Sequence, residues 1–214
     1  MPRLLELFSG TKSVSRVAET LGWETISLDI CPRHEPTICD DIRNAEGRLR
    51  ALDLWGPGSF DFVWASPDCR AYSRAKSKSH DNPEAAMVQS DELVQVTLDL
   101  FEHFQAPWCL ENPDGSRLWA RDVARPLLGK SVKTSYCSFG YNYRKNTRIA
   151  SCFSLDLPSC QGPGRCPAMI KRRHICHAQK GGGGITNRYH TRDELHSIPE
   201  GLVREILRQL PPRP

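Results

Sequence analysis

The run LFSGTKS, residues 7–13, decides the fold. It closes an apolar stretch over residues 4–8 and leads into an amphipathic one over 13–21, the join expected between a buried strand and a helix that crosses back over a sheet. Gly10 lets the backbone approach a cofactor at that join, and the free N–H groups of the next helix start suit a carboxylate or phosphate. A single glycine ends many strands, so a plain turn competes with this reading until a second feature joins it. Asp29 is that feature. It ends a second apolar stretch, 25–29, at about the distance past a glycine turn (about 20 residues) where an open α/β sheet offers an acid to ribose hydroxyls. A strand-end acid facing water is the plainer alternative.

Outward from this stretch, short apolar runs alternate with amphipathic ones as far as residue 153, the pattern of an α/β domain with a mostly parallel sheet. Strands are predicted near 4–8, 25–29, 61–65, 108–111, 132–137 and 148–153, and helices near 13–21, 84–104, 118–128 and 200–210. The composition changes after Phe153. Residues 154–190 are rich in Pro, Gly, Cys and basic side chains and contain the run Gly181 to Gly184, so they cannot build a large core of their own. In residues 191–214 helical periodicity returns, with Leu202, Ile206 and Leu210 on one face that packs back on the main domain, until Pro211 and Pro212 stop it. The expected organisation is a core of residues 1–153, a small basic Cys/His-containing insert of residues 154–190, and a closing helical segment, 191–214.

With 214 residues, 39% of them hydrophobic, the chain can bury one full core. Its apolar runs are too short for a membrane span, and MPRLLELFSG lacks the long apolar stretch of a secretory leader, so an intracellular protein without a membrane partner is expected. Nine scattered cysteines without a secretory context argue against a disulfide framework. The net charge of +4 is modest, but its distribution is uneven. Seven Lys/Arg and no carboxylate fall between Gln161 and Arg192, and Arg74, Lys76 and Lys78 cluster after Cys69. Two such patches suit a phosphate backbone, with a solvated basic loop as the competing account.

Two further motifs carry chemistry. ASPDCRAYS, residues 65–73, follows the apolar run DFVW and places Cys69 on a loop at the carboxyl end of a strand, where ligands bind in such folds. Free cysteines are more often buried small hydrophobes, but the Pro, Asp, Arg and Ser around this one argue against burial. CLENPDG, residues 109–115, is again a strand running into a polar turn, with Glu111 at the strand tip and close to Cys69 if the two strands are neighbours. A thiol beside a carboxyl suits attack on an electron-poor ring, one group bonding carbon while the other hydrogen-bonds ring nitrogen and amine. Helix capping by Asn112 or Asp114 is the competing role for that turn.

The ordered set LFSG, Asp29, Asp40-Asp41-Ile42, S-P-D-C with Ser73, E-N-P and RKNTRI resembles the cytosine-5 DNA methyltransferase family, from Leu4 to about Phe153, and RYHTRDELHSIPEGLVREIL resembles its closing motifs. The likeness is nearest to the compact phage, viral and protist-like members. It implies a Rossmann-like fold and S-adenosylmethionine as methyl donor. Phe8, Ser9, Gly10, Thr11, Asp29, Ile30, Asp41, Ile42 and Pro67 would form the cofactor site, with Phe8 stacking on the adenine, Asp29 holding the ribose and Asp41 accepting from the adenine amine. Cys69 would be the nucleophile, Glu111 would hold the cytosine ring nitrogen and amine, and Arg148 would bind the ring carbonyl oxygen. The base would be flipped out of double-stranded DNA. Arg70, Ser73, Arg74, Lys76, Arg144, Lys171, Arg172 and Arg173 would contact the DNA, residues 154–190 would correspond to the target-recognition region, and the short insert would read a short target. The resemblance implies a monomer, acting in the nucleus of a eukaryotic host or the cytoplasm of a bacterial or phage one.

The chain departs from the family pattern at three places. Asp68 stands where the family has proline, and a carboxylate beside the thiol raises its pKa unless Arg70 or DNA offsets the charge. Lys12 and Ser13 replace two small glycines, and Lys12 could reach the methionine carboxylate. Asn146 replaces the first arginine of an RxR motif, leaving Arg148 alone. In the insert, Cys160, Cys166, His174 and Cys176 could supply four ligands to a tetrahedral zinc, against the alternative of a cysteine-bearing basic loop, since the spacing matches no standard finger. Three functional readings follow: an active enzyme on double-stranded DNA, a catalytically weak or inactive DNA-binding homologue, and an RNA (tRNA) cytosine-5 methyltransferase.

Overall fold

The computed structural model describes residues 1–73, 82–176, 178, 185–186 and 190–212. The elements in chain order are β1 (Arg3–Leu7), α1 (Ser13–Thr20), β2 (Glu24–Asp29), β3 (Ile38–Cys39), α2 (Ala45–Ala51), β4 (Phe62–Ala65), α3 (Pro83–Phe104), β5 (Trp108–Pro113), β6 (Ser131–Ser135), β7 (Asn146–Ser151), β8 (Met169–Ile170), β9 (Arg173–His174), α4 (Arg192–His196) and α5 (Glu200–Arg208). The first seven strands form one sheet in the order β3-β2-β1-β4-β5-β7-β6. Strands β1 to β5 run parallel, and β7 is antiparallel to both its neighbours. This is the α/β architecture expected from the sequence.

Burial on both faces explains why β1 and β4 read as near-continuous apolar runs rather than alternating ones. On one face Leu5, Leu7, Val63, Ala65 and Leu110 pack with α2 and α3. On the other, Leu4, Phe62, Trp64, Cys109 and Ile149 pack with Val14 and Val17 of α1 and with Leu202, Val203 and Ile206 of α5. The chain steps outward from β1 to β2 and β3, then returns to β4 on the other side of β1. In an open α/β sheet that reversal leaves a crevice beyond the carboxyl ends of the two strands, and the Gly10 and Cys69 loops leave from those ends.

Several segments differ from expectation for identifiable reasons. Residues 118–128 do not form a helix; they make two short 3-10 turns, Arg117–Ala120 and Arg125–Lys130, because Pro126 has no N–H to give an α-helical ladder and excludes one from its preceding turn. The strand expected over 132–137 stops at Ser135, where the chain turns through Tyr136–Phe139 to Gly140 at φ +88. Helix α2, the short edge strand β3 and α4 were not foreseen, each being too short for a clear hydrophobic period. Helix α3, in contrast, starts where sequence chemistry sets it: Pro83 occupies its first turn and Asn82 Oδ1 accepts from the Ala85 amide at 3.1 Å.

One buried group ties β1 to α1. Glu6 is 2% exposed, and its carboxylate accepts from the Val14 amide at 3.2 Å, the Ser15 amide at 2.8 Å and Ser15 Oγ at 2.5 Å. Burial raises its pKa to about 7, against the lowering effect of those hydrogen bonds. Because the folded chain holds this proton more tightly than the unfolded one, Glu6 contributes stability that is complete below about pH 4.5 and is lost as the pH rises through about 7. Thermal unfolding followed from pH 4.5 to 8 should show that decline in the wild type and a flatter profile in Glu6→Gln; identical slopes in the two proteins contradict this account.

Candidate active site

The loop after β1 is wound through left-handed backbone. Phe8, Gly10 and Lys12 have φ of 56, 46 and 54 degrees. The two non-glycine residues hold a conformation that costs an L-residue roughly 1–2 kcal/mol. Lys12 Nζ does not face the loop's interior; it donates to the Glu35 carbonyl at 2.8 Å. The loop is pinned by Asp29, whose Oδ2 accepts from the Gly10 amide and whose Oδ1 accepts from the Cys31 amide, both at 2.8 Å. Each oxygen keeps a second lone pair for another donor. Ser9 is 4% exposed, and its Oγ has no hydrogen-bond partner among the described residues.

The other residues expected at the cofactor site lie nearby in the chain's two following turns. Ile30 stands 69% exposed beside Asp29. Asp41 caps the next 3-10 turn and is held by Arg43, with its Oδ2 2.6 Å from an Arg43 guanidinium nitrogen; Arg43 is itself mostly exposed. Ile42 is buried in the core below. Thr11 Oγ1 lies 3.2 Å from Ser197 Oγ, joining the loop to the segment after α4. A cavity of about 450 Å³ opens on this side, lined by Thr11, Arg16, His34, Tyr141, His190 and Ser197 among others; Cys69 and Glu111 are not in its lining.

Cys69 sits on a loop fixed at both ends. Trp64 Nε1 donates to Ser66 Oγ at 2.8 Å, and Asn112 Nδ2 donates to the Pro67 carbonyl at 2.8 Å, across from β5. At the far end the fully buried Tyr72 donates its hydroxyl to Asp91 of α3 at 2.9 Å, while its carbonyl accepts from the Arg117 amide at 3.1 Å. Arg121 Nε closes the group by donating to Asp91 at 2.8 Å. The thiol is thus half-buried on a loop held by hydrogen bonds on both sides.

Because β4 and β5 are adjacent, with Ala65 opposite Leu110, Glu111 comes within electrostatic reach of Cys69. Glu111 is 5% exposed and accepts a short hydrogen bond from Thr147 Oγ1 of β7. Burial pushes the Cys69 thiol up, the Glu111 charge adds to that, the Lys145 ammonium opposes it, and Asp68 adds less than either. Asp68 is smaller in effect than the sequence suggested because its carboxylate accepts from the Arg70 amide at 2.9 Å and Arg70 Nε at 2.6 Å. Burial acts to raise the Asp68 carboxyl, and those hydrogen bonds outweigh it, so it lies below its ordinary value.

Arg148 is a correction. The expected grouping of Arg148 with Cys69 and Glu111 does not form. Thr147 reaches Glu111 and Ile149 lies opposite it, so strand alternation sends Arg148 to the other face of the sheet. There its guanidinium donates to Asp114 at 3.0 Å and to Ser131 Oγ at 2.9 Å, and lies 5.6 Å from the centre of the Trp119 ring. The cation that faces the thiol is Lys145, missed in the sequence although it adjoins the RKNTRI motif's first arginine. Its Nζ donates to the Leu195 carbonyl at 2.8 Å and the Tyr136 hydroxyl at 3.2 Å. His196 of α4 completes this side; burial and then Lys145 lower its pKa. The capping box Thr191/Glu194 that starts α4 was a legible signal for it.

Of the residues expected to contact DNA, Arg70 is exposed apart from its Asp68 pair, and Ser73 accepts at its carbonyl from Arg117 at 3.4 Å. Arg144, Lys171, Arg172 and Arg173 are exposed, the last three at the tip of the β8–β9 hairpin. Arg74 and Lys76 lie outside the described residues. The four proposed metal ligands are not brought together as a set. Cys160, Cys166 and His174 meet, but the chain bends at Ile175, and Cys176 bridges Tyr143 and turns its thiol to Thr186 Oγ1 at 3.2 Å. Cys137, from the turn after β6, takes the fourth place, giving a group whose ligand atoms all lie within 4.8 Å of one another and which could hold a metal ion.

Across curated proteins the chain is 27% identical over 223 residues to a probable DNA (cytosine-5)-methyltransferase of Frog virus 3 (isolate Goorha), an alignment covering 96% of this chain and 98% of the viral protein. The chain resembles the cytosine-5 DNA methyltransferases. Among solved structures it is similar, with a TM-score of 0.51 and 17% identity, to a protein assigned as a DNA modification methyltransferase encoded within an E. coli prophage, over 70% of this chain. The chain therefore shares its fold with part of that protein. The chain spans 45% of that prophage protein and 58% of the Entamoeba histolytica methyltransferase EhMeth, to which it is 14% identical over 81% of its own length with a TM-score of 0.49. No family model matches the chain.

The order of influences on Cys69 is testable without a substrate. Alkylation of Cys69 by iodoacetamide, mapped by mass spectrometry and followed against pH, should shift to higher pH with a several-fold slower rate near neutrality in Lys145→Gln. It should shift to lower pH in Glu111→Gln, and less far in Asp68→Asn. A larger shift for Asp68→Asn than for Glu111→Gln overturns this ordering.

Proposed function

We propose that this chain is an S-adenosylmethionine-dependent DNA (cytosine-5-)-methyltransferase that works through a covalent adduct of Cys69. The observation that carries the reading is the pairing of a half-buried thiol with a buried carboxylate at neighbouring strand ends, Cys69 after β4 and Glu111 on β5, beside the Gly10 loop. The near full-length similarity to the viral protein supports the reaction type.

The residues beside Gly10 suit the cofactor. Ser9 Oγ is buried without a partner among the described residues, Asp29 keeps lone pairs free, and Ile30 offers an exposed apolar face. Phe8, Gly10 and Asp29 would hold the nucleoside and methionine ends, with Thr11, Ile30, Asp41, Ile42 and Pro67 completing the wall. S-adenosylmethionine supplies an electrophilic methyl group there.

Cytosine carbon 5 is a poor nucleophile until the Cys69 thiolate adds to carbon 6. That bond would form as the ring's 5,6 π electrons move to the ring nitrogen, which would take a proton from the Glu111 carboxyl in its protonated form while the other carboxyl oxygen accepts from the exocyclic amine. Thr147 fixes the orientation of Glu111. With the cofactor bound, carbon 5 would take the methyl group from its sulfonium, which departs as a neutral thioether; the carbon 5 proton would then pass to solvent as the 5,6 double bond re-forms and the carbon–sulfur bond breaks to return the Cys69 thiolate. Lys145 favours the thiolate at both ends of the cycle. Asn112, whose amide donates to the Pro67 carbonyl, keeps the loop at its place beside Glu111. The base must leave the helix to reach Cys69, at a cost of roughly a few kcal/mol met by contacts to the flanking DNA. We assign those contacts to Arg70, Arg144 and the hairpin Lys171, Arg172 and Arg173, within a target-recognition segment, residues 154–190, on a core of residues 1–153 closed by residues 191–214. We infer a monomer acting on double-stranded DNA inside the cell.

Incubation with methyl-labelled S-adenosylmethionine and separate duplex DNA and tRNA substrates tests this. Label should enter carbon 5 of cytosine in DNA, with loss of at least about a thousandfold in Cys69→Ala and a smaller loss in Arg148→Ala. Label in tRNA alone makes the chain an RNA methyltransferase. DNA binding without label in either substrate makes it an inactive homologue.

A further inference from the structure

We propose that Cys137, Cys160, Cys166 and His174 hold one structural zinc ion that fastens the basic β8–β9 hairpin to the edge of the main sheet. The argument begins with what lies along β6. Strand β6 is the sheet's edge, and the segment after residue 153 runs beside it, with Thr134 Oγ1 donating to the Pro158 carbonyl at 2.5 Å and Ser159 Oγ donating to the Lys133 carbonyl at 2.9 Å. This brings Cys160 alongside the turn that follows β6, where Cys137 is buried. A turn closed by the Cys166 amide on the Gly162 carbonyl at 2.9 Å returns Cys166 to the same point, and the hairpin's second strand presents His174.

The spacing of the four groups is that of a tetrahedral zinc. Zinc–sulfur bonds of about 2.3 Å and zinc–nitrogen bonds of about 2.0–2.1 Å at tetrahedral angles put sulfur and nitrogen about 3.6 Å apart and two sulfurs about 3.8 Å apart. His174 Nε2 lies 3.5 Å from Cys160 Sγ and 3.7 Å from Cys166 Sγ. Cys137 touches both other thiols, and all four ligand atoms fall within 4.8 Å of each other. All are free thiols or an imidazole, with no disulfide among them. Three thiolates and an imidazole are soft donors that suit zinc rather than magnesium or calcium, and four protein ligands leave no open position, so the role is structural.

The surroundings need such a staple. The apolar cluster here is Cys137, Cys166 and Ala168 with Cys160 and Met169 against it, too little to order a segment by burial alone. The hairpin it supports has two-residue strands and carries exposed Lys171, Arg172 and Arg173 at its tip. A metal held at its base by His174, and anchored in the sheet through Cys137, fixes where that positive tip points.

The test is independent of any substrate. Full-length protein purified under reducing conditions should contain about one zinc per chain by elemental analysis, and replacement by cobalt(II) should give the visible bands of a tetrahedral site with thiolate charge transfer. Cys160→Ser, the half-exposed ligand, should lose most of the metal while Cys176→Ser keeps it. Should Cys160→Ser not fold, hydrogen exchange on wild-type protein decides: chelation should speed exchange at least about tenfold in Met169 to His174 and leave β1, β4 and β5 unchanged. A chain that takes up neither zinc nor cobalt(II), that oxidises to a Cys160–Cys166 disulfide in preference, or that keeps full metal in Cys160→Ser overturns the proposal.

Discussion

The parallel pairing of β4 between β1 and β5 is the constraint on which the rest depends. Leu4 to Leu7 of β1 lie opposite Phe62 to Ala65, and Val63 to Ala65 lie opposite Trp108 to Leu110, so three strand ends meet at one edge of the sheet. Once that register is set, the Gly10 loop, the Cys69 loop and Glu111 have no other place to go. The register is set by burial: a slip of one residue in β4 would exchange Val63 and Ala65 on one face for Phe62 and Trp64 on the other, and both faces are fully packed. The site therefore rests on the deepest part of the core, while Lys12 and Asp68 are on loops and Asn146 starts β7.

The electrostatics of the site favour restraint over readiness. Burial and Glu111 disfavour the thiolate, and Lys145 pulls the other way. On the proposed function, a base entering the site donates its exocyclic amine to the Glu111 carboxyl and takes that carboxyl's proton toward its ring nitrogen, so less of the Glu111 charge bears on the thiolate. The nucleophile is then strongest when its substrate is present. Asp68 plays a lesser part because Arg70 already satisfies it, which also means that Arg70 must leave Asp68 or carry it along to touch a phosphate.

Much of this was legible in the chain itself. The strand ends at Asp29 and Glu111 and the loop at Cys69 were readable because parallel strands buried on both faces give unmistakable apolar runs that stop at polar turns. Arg148 was misplaced because a linear motif gives spacing without the side-chain face: only the register of β7 against β5 shows that Thr147, not Arg148, shares a face with Glu111. Cys137 was invisible as a ligand because it lies far from the other three in sequence and inside a strand-to-turn junction, where a buried cysteine reads as core. Cys176 was chosen instead on proximity alone, and the bend at Ile175 removes it.

The central claim is that the Cys69 sulfur and the Glu111 carboxylate grip one cytosine together. Duplex DNA carrying 5-fluorocytosine blocks the loss of the carbon 5 proton and so should leave the base bonded to the protein when S-adenosylmethionine is present. Peptide mapping of the trapped product should place the base on Cys69, and Glu111→Gln should trap far more slowly with the same attachment point. A product attached to another cysteine, or no product from a protein that binds both DNA and cofactor, would contradict it.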